Sequence, residues 1–302
     1  MLQETALRVA DTDRFAAPLL VTGEDQAEAS REQLRDVGLA ASLLIEPCPR
    51  GTAAAIALAA FRAPDAMLLV MPSDHIVADA AAFHAAVETA LPLAEEGWLT
   101  TFGIPPERAD TGYGYIRQGE ALSAGYGAAA FVEKPPRALA ERYLAEGGYL
   151  WNAGIFLFRA RAYLDALETH APHIRAGVAT GSAGDFAAIP SASIDRALLE
   201  KSDRVAVVPA EMGWSDVGSW EALWALGPRD PAGNVLTGDV VAPSSTGCLL
   251  RSDGPALVAL DVHDLVIVAT ERAVLVVPRG ESQRVKEAID ALQAREQKAP
   301  RR

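Results

Sequence analysis

Ala66-Met67-Leu68-Leu69-Val70-Met71-Pro72-Ser73-Asp74-His75 is the stretch on which the reading of the chain turns. Six apolar residues without alternation, ended by a proline, predict a strand covered on both faces, as in the middle of a parallel sheet. Asp74 comes at its carboxyl end. Ligands of open α/β sheets sit beyond the carboxyl ends of the strands, so a carboxylate there is placed to hold a hard cation. Aspartate also caps turns after strands, and the stretch alone fits either role.

Outward from this strand, helices and strands alternate. Pro18–Gly23 and Ser42–Pro47 read as strands, with helical spacing from Glu24 to Val37 and from Thr52 to Phe61, and Gly38 supplies a helix stop. A helix from about Ala80 to Glu96 and a strand from Trp98 to Ile104 follow on the other side. This alternation predicts a doubly wound, parallel α/β sheet. From Gly112 onward come the strands 112–116 and 128–135, another at 149–158, helices near 160–170 and 193–201, and a strand at 205–210. After residue 229 only short strands separated by turns remain, followed by a helix from Ser282 to about Gln297. We therefore expect one domain over 1–229 and a small β-rich, solenoid-like unit over 230–302. The basic tail Lys298-Ala299-Pro300-Arg301-Arg302 is expected to fray.

Composition narrows the function. With 27 basic against 40 acidic residues the net charge is −13, which argues against nucleic acid and anionic membranes as partners. No apolar run reaches membrane-spanning length, and Met1–Arg8 has no secretory apolar core, so a soluble chain is expected. Cys48 and Cys248 are the only cysteines, which gives no disulfide framework and makes a reducing cytoplasm the expected compartment. Such an acidic protein binds phosphates through a few local cations, a metal or backbone N–H groups.

Several polar residues sit at strand ends or interrupt strands. Glu133-Lys134-Pro135 closes a strand with an opposite-charge pair, which is either a surface ion pair or a point charge for a phosphate. In Trp151-Asn152-Ala153-Gly154 an amide interrupts an apolar strand, either bonded to neighbouring backbone or available to sugar hydroxyls. Gly112-Tyr113-Gly114 gives backbone room for a turn or for a ligand pressed against the chain. Asp216, between Trp214 and Trp220, is a turn residue or a second carboxylate facing Asp74, and two carboxylates with phosphate oxygens make a Mg²⁺ site.

Taken together, these stretches resemble the mannose-1-phosphate guanylyltransferases of the sugar-1-phosphate nucleotidylyltransferases. The matching phrases are Met1–Thr5, Pro72–His75, Thr111–Ile116, Phe131–Pro135, Leu150–Phe156, Ser193-Ile194-Asp195 with Glu200-Lys201, and Gly213–Trp220, in the family's order and at about its spacing. The resemblance implies a Rossmann-like mixed sheet that lacks its first strand. It implies that Asp74 and Asp216 hold Mg²⁺, that Glu133 and Asn152 contact the mannose beside Tyr113 and Gly154, that Lys134 meets its phosphate, and that Gly112 lets the sugar approach the backbone. Glu46, Arg50 and Thr52 correspond to the guanine-side loop. There the family reads Gly-Arg-Asn-Thr, whereas this chain has Pro49-Arg50-Gly51-Thr52.

The reaction implied is GTP plus mannose 1-phosphate giving GDP-mannose and pyrophosphate, with Mg²⁺ as cofactor. The partners are these two small molecules, and a homo-oligomer is compatible with the sequence. The family's loop G-G-x-G-T-R-L-x-P does not occur in the 302 residues. The expectation is therefore impaired transfer by this chain and activity from one extended upstream, since the loop's amides and cations cradle the nucleotide phosphates. Two other readings are a non-catalytic sugar-phosphate-binding homologue and a nucleotidylyltransferase of other sugar or base specificity. A metal-dependent glycosyltransferase fits less well, because Pro72–His75 carries one Asp where such enzymes carry an Asp-x-Asp cluster.

Overall fold

A computed structural model describes residues 1–298 and separates them into two compact units, Met1–Asp216 and a second beginning at Val217. The expected frayed tail, residues 299–302, lies outside the described residues.

The first unit opens with α1 (Leu2–Leu7), β1 (Leu19–Gly23), α2 (Glu24–Asp36), β2 (Ser42–Glu46), α3 (Thr52–Arg62), β3 (Met67–Val70), β4 (Ile76–Val77) and α4 (Ala80–Glu95). It continues with β5 (Leu99–Ile104), β6 (Tyr115–Leu122), β7 (Gly125–Val132), α5 (Arg137–Glu146), β8 (Tyr149–Arg159), α6 (Ala160–His170), α7 (Pro172–Ala179) and α8 (Ala183–Ala188). A π-helical turn, Asp195–Leu199, precedes β9 (Val205–Pro209) and β10 (Trp214–Ser215).

Local chemistry sets the boundaries. Asp79 caps α4 by accepting from the Ala82 N–H at 2.9 Å. Gly38, at φ +72°, closes α2, and the Leu39 N–H returns to the Leu34 carbonyl at 3.0 Å. Along α3, Ala53, Ala54, Ala57 and Ala60 are fully buried, and their small side chains let the helix pack closely on α6 and α7, in the cluster that also holds Phe156 and Phe158 of β8.

Among the described residues the main sheet has six strands, in the order β3-β8-β5-β9-β7-β6. Only β5 and β9 run parallel within it; the other neighbours are antiparallel. The parallel sheet expected from helix–strand alternation is thus a mixed one, because α5 and the β6–β7 hairpin return the chain to strands already laid down. A second correction concerns β3. Among the described residues it is an edge strand paired only with β8, and all four of its residues remain partly exposed, so it is not the doubly covered central strand that its apolar run predicts. The run reports hydrophobicity but not neighbours, and β8 comes from about ninety residues later. β1 and β2 form a separate parallel pair.

In the second unit, α9 (Trp220–Leu226) precedes β11 (Val235–Thr237), β12 (Val240–Val241), β13 (Leu249–Ser252), β14 (Leu257–Val258), β15 (Leu265–Ala269) and β16 (Val274–Pro278), and α10 (Val285–Lys298) ends it. β11, β13 and β15 stack in parallel, as do β12 and β14, which makes a short β-helix that β16 closes in antiparallel fashion. Asn234, buried inside, is satisfied by Asp230, the Ser245 carbonyl and the Cys248 N–H. Trp220, Leu223 and Trp224 of α9 pack against Leu249, Val266 and Val268, so this helix belongs with the strands that follow it. The packing boundary accordingly falls earlier than residue 229.

Candidate active site

β4 and β10 pair antiparallel, with Ile76 opposite Ser215. That register brings His75 and Asp216 to the next rung, with Asp74 one residue beyond. The His75 imidazole feels both carboxylates, although burial, the larger effect, pulls its pKa down. The indole N–H of Trp214 donates to His75 Nδ1 at 3.2 Å. His75 Nδ1 is therefore the acceptor, and the ring's other nitrogen faces the Ala153 backbone. This histidine ties the turn carrying Asp74 to the strand carrying Asp216 and to β8. Beneath it Arg8, 8% exposed, reaches the His75 carbonyl at 3.5 Å and lies over the Phe83 ring.

Asp216 is oriented by Tyr113, whose hydroxyl donates to Oδ1 at 3.0 Å. Burial first and then the Asp216 charge push the phenol pKa up, so it stays a donor. The Tyr113 ring is held edge-on between Trp151 and Trp214, with centroids 5.0 and 5.1 Å away. The 110–114 loop owes its shape to Asp110, which accepts from the Gly112 N–H at 2.8 Å and is gripped by Arg108.

On the next strands, Asn152 is bonded on several sides. Its Oδ1 accepts from Thr101 Oγ1 at 2.8 Å and from the Gly154 N–H at 3.2 Å, and its Nδ2 donates to Asp195 Oδ1 at 3.0 Å. Its backbone N–H donates to the Gly114 carbonyl at 2.8 Å. A Cβ on Gly114 would lie 2.6 Å from Glu133 Oε2, so glycine there makes room for the Glu133 carboxylate beside β8. Gly154, at φ +66°, kinks β8 against the His75 ring. Lys134 is exposed, lies 3.5 Å from Glu133, and holds a left-handed φ of +49°, a strained conformation of the kind that collects at ligand sites. Burial raises the pKa of Glu133, with Asp195 adding to the rise and Lys134 opposing it. Asp195 is likewise raised by burial, against the hydrogen bonds of its own backbone, Ser193 and Asn152.

The 46–52 loop lies at the end of β2. Burial raises the pKa of Glu46, whose Oε2 is buried without a hydrogen-bond partner. Thr52 Oγ1 accepts from the Ile194 N–H at 2.9 Å, and the Arg50 guanidinium reaches the Ala187 carbonyl. Both side chains thus brace the segment that leads to Asp195. Gly51, at φ +81° and ψ 172°, would place a Cβ 2.4 Å from the Ala192 carbonyl oxygen, so the departure from the family's Asn sits where only glycine fits.

Two family matches agree with this arrangement. The nucleotidyl transferase model matches residues 1–232, and the MannoseP isomerase/GMP-like beta-helix domain matches 238–292. The chain belongs to the nucleotidyl transferase family. The mannose-1-phosphate guanylyltransferase of Klebsiella pneumoniae is 43% identical over 97% of this chain and 66% of its own length. The alginate biosynthesis protein AlgA of Pseudomonas aeruginosa is 38% identical over 97% of this chain and 65% of its own. The chain therefore spans about two thirds of the length of these curated relatives. A crystal structure described as mannose-1-phosphate geranyltransferase from Thermus thermophilus superposes with a TM-score of 0.86 at 35% identity, covering 97% of this chain and 89% of that one.

Of the residues singled out in the sequence, the fold draws Asp74, Asp216 and Tyr113 around His75, and Asn152, Glu133, Lys134 and Gly154 along β7 and β8. Glu46, Arg50 and Thr52 lie together on the loop between β2 and α3. Roles for Thr101, Asp195, His75 and Trp214 come only from the structure. For Thr101 the signal was a pair of threonines, both fully buried, inside the apolar strand Leu99–Ile104.

Proposed function

We propose that this chain binds mannose 1-phosphate and GTP and carries the site for GMP transfer between them, giving GDP-mannose and pyrophosphate. The observation that carries this reading is the convergence of Asp74 and Asp216 around His75, next to a strand that presents Asn152 and Gly154. In this reading Glu133 and Asn152 receive the sugar hydroxyls and Lys134 the sugar phosphate, with Gly112 leaving room beside the backbone. The orphaned Glu46 Oε2 suits N–H donors such as those on the guanine edge, because a buried acceptor without a partner gains most from one.

Asp74 and Asp216 fit a Mg²⁺ ion. They are two oxygen donors on braced backbone, and phosphate oxygens of the substrates would complete the shell of a hard cation held there. Bound there, Mg²⁺ would neutralise phosphate charge. The attacking sugar-phosphate oxygen is already ionised at neutral pH, so no side chain need act as a general base. The chain's own task is to hold two anions in line. Among the described residues no helix is long and apolar enough to cross a membrane. Together with the two lone cysteines, this supports the reading of a cytoplasmic enzyme.

The test separates binding from transfer. Calorimetric titration with mannose 1-phosphate, and GTP-dependent pyrophosphate release with Mg²⁺, are measured on the 302 residues and on the chain extended upstream by a relative's glycine-rich loop. Binding by both and release from the extended chain is the expected result. Failure of both to bind mannose 1-phosphate, or binding unchanged by Asn152→Ala, refutes the reading.

A further inference from the structure

Asn152 has four hydrogen-bonding capacities, two acceptor lone pairs and two amide N–H groups. The structure accounts for three. Oδ1 accepts from the Gly154 N–H and faces the Thr101 hydroxyl, and one N–H is given to Asp195. A flipped amide would set its NH₂ against the Gly154 N–H and its oxygen against the Asp195 carboxylate, two repulsive contacts, so the orientation is fixed from both ends. The one Thr101 hydroxyl proton is shared with the Ile155 carbonyl, 3.0 Å away, so the contacts to Gly154 and Asp195 are what decide the orientation.

Asp195 is placed for this by an unusual piece of backbone. It begins a π-helical turn in which the Glu200 N–H bonds to the Asp195 carbonyl at 2.9 Å, the i→i+5 pattern. Such turns are rare and collect at functional sites. The approach to the turn is anchored by the Ile194 N–H on Thr52 and by the hydrogen bonds between Ala192 and the 50–53 backbone.

Resting on the proposed sugar site, we infer that Asp195 is a positioning residue which, with Gly154, locks the Asn152 amide so that a single N–H is left for the ligand. Asn152 is then a donor only. The sugar hydroxyl that meets it must accept that hydrogen bond and direct its own proton elsewhere, and Glu133, whose carboxylate lies against Gly114 just before β6, is the acceptor within the same group of side chains.

The experiment is a double-mutant cycle read as mannose 1-phosphate affinity by calorimetry on the full chain, with melting temperatures recorded for every variant. Asp195→Ala should weaken binding about tenfold, the size of one lost hydrogen bond. Asp195→Asn, whose Oδ1 still accepts from Asn152, should stay within about threefold of the unmutated chain on the same ground. In the Asn152→Ala background, Asp195→Ala should cost nothing further, because the group through which it acts is gone. The exchange Asn152→Asp with Asp195→Asn keeps the pair's hydrogen bond with its polarity reversed but leaves no N–H at 152, so it should melt like the parent and lose binding. Unchanged affinity in Asp195→Ala, a full additional loss on top of Asn152→Ala, or retained binding in the exchanged pair would each overturn the inference while leaving the sugar site standing. Absence of binding by the unmutated chain would remove the sugar site and this inference together.

Discussion

Gly51→Asn puts the family's residue back into the 49–52 loop, and the structure says it should be costly. The backbone at Gly51, φ +81° and ψ 172°, lies in a region that is essentially glycine's alone, and forcing another residue into it costs about 1–3 kcal/mol. A Cβ would also stand 2.4 Å from the Ala192 carbonyl oxygen, a backbone atom that cannot swing aside. Relief requires the 192–194 segment to move off the loop. Three hydrogen bonds join the two: Ala192 N–H to the Arg50 carbonyl at 3.1 Å, Ala53 N–H to the Ala192 carbonyl at 3.2 Å, and Ile194 N–H to Thr52 Oγ1 at 2.9 Å. Losing two of them costs about 1–3 kcal/mol more, so the total is about 4 kcal/mol. At about 2–4 °C per kcal/mol for a domain of this size, the melting temperature should fall by roughly 10 °C. Urea denaturation of the purified variant measures the free energy, and calorimetry with mannose 1-phosphate should show weakened binding, because the segment that moves carries Asp195. A variant within about 1 kcal/mol of the parent, the ordinary cost of a point mutation, would show that the loop has another path open to it.

Two further outcomes bear on the site. Tyr113→Phe keeps the ring between Trp151 and Trp214 but removes the donor to Asp216; divalent-cation affinity, titrated with Mn²⁺ in the presence of GTP, should drop about tenfold or more. Equal affinities would deny the tyrosine any part in orienting that carboxylate. The second concerns pH. Burial holds the Asp195 pKa above its ordinary value near 3.8, so between that value and the raised one the folded chain binds more protons than the unfolded chain. Stability from this group is therefore present below pH 3.8 and is lost as the pH rises through the folded value. Asp195→Asn removes the effect, and its melting temperature relative to the parent should climb as the pH is raised from below 3.8 towards neutrality. A constant difference across that range counts against it.

Much of this architecture can be read from residue patterns, and what cannot has a physical reason. The helix over 80–95 announces itself through its Asp79 cap and apolar face, and the turn at Gly38 through a residue that tolerates positive φ. The polar residues that end or interrupt strands, Asp74, Glu133 and Asn152, stand out because nothing in strand packing asks for them. Which strand lies beside which does not show. Apolar residues 66–71 look alike whether a strand is central or at an edge, and the difference is decided by β8, far along the chain. The Asp195 contact was hidden for another reason: Ser193–Lys201 carries ordinary helical spacing, and nothing in it marks the π-turn that aims the carboxylate at Asn152.

Glu46 and Asn152 ride on different sheets. Among the described residues β1 and β2 share no ladder hydrogen bond with the six-stranded sheet, and α3, which packs on both of these strands, lies against α6 and α7. The spacing between the loop at 46–52 and the strand at 149–159 is thus set by side-chain packing and by one bonded route, from Thr52 through Ile194 and Asp195 to Asn152. A displacement of the 192–195 segment is therefore felt at both ends of that route.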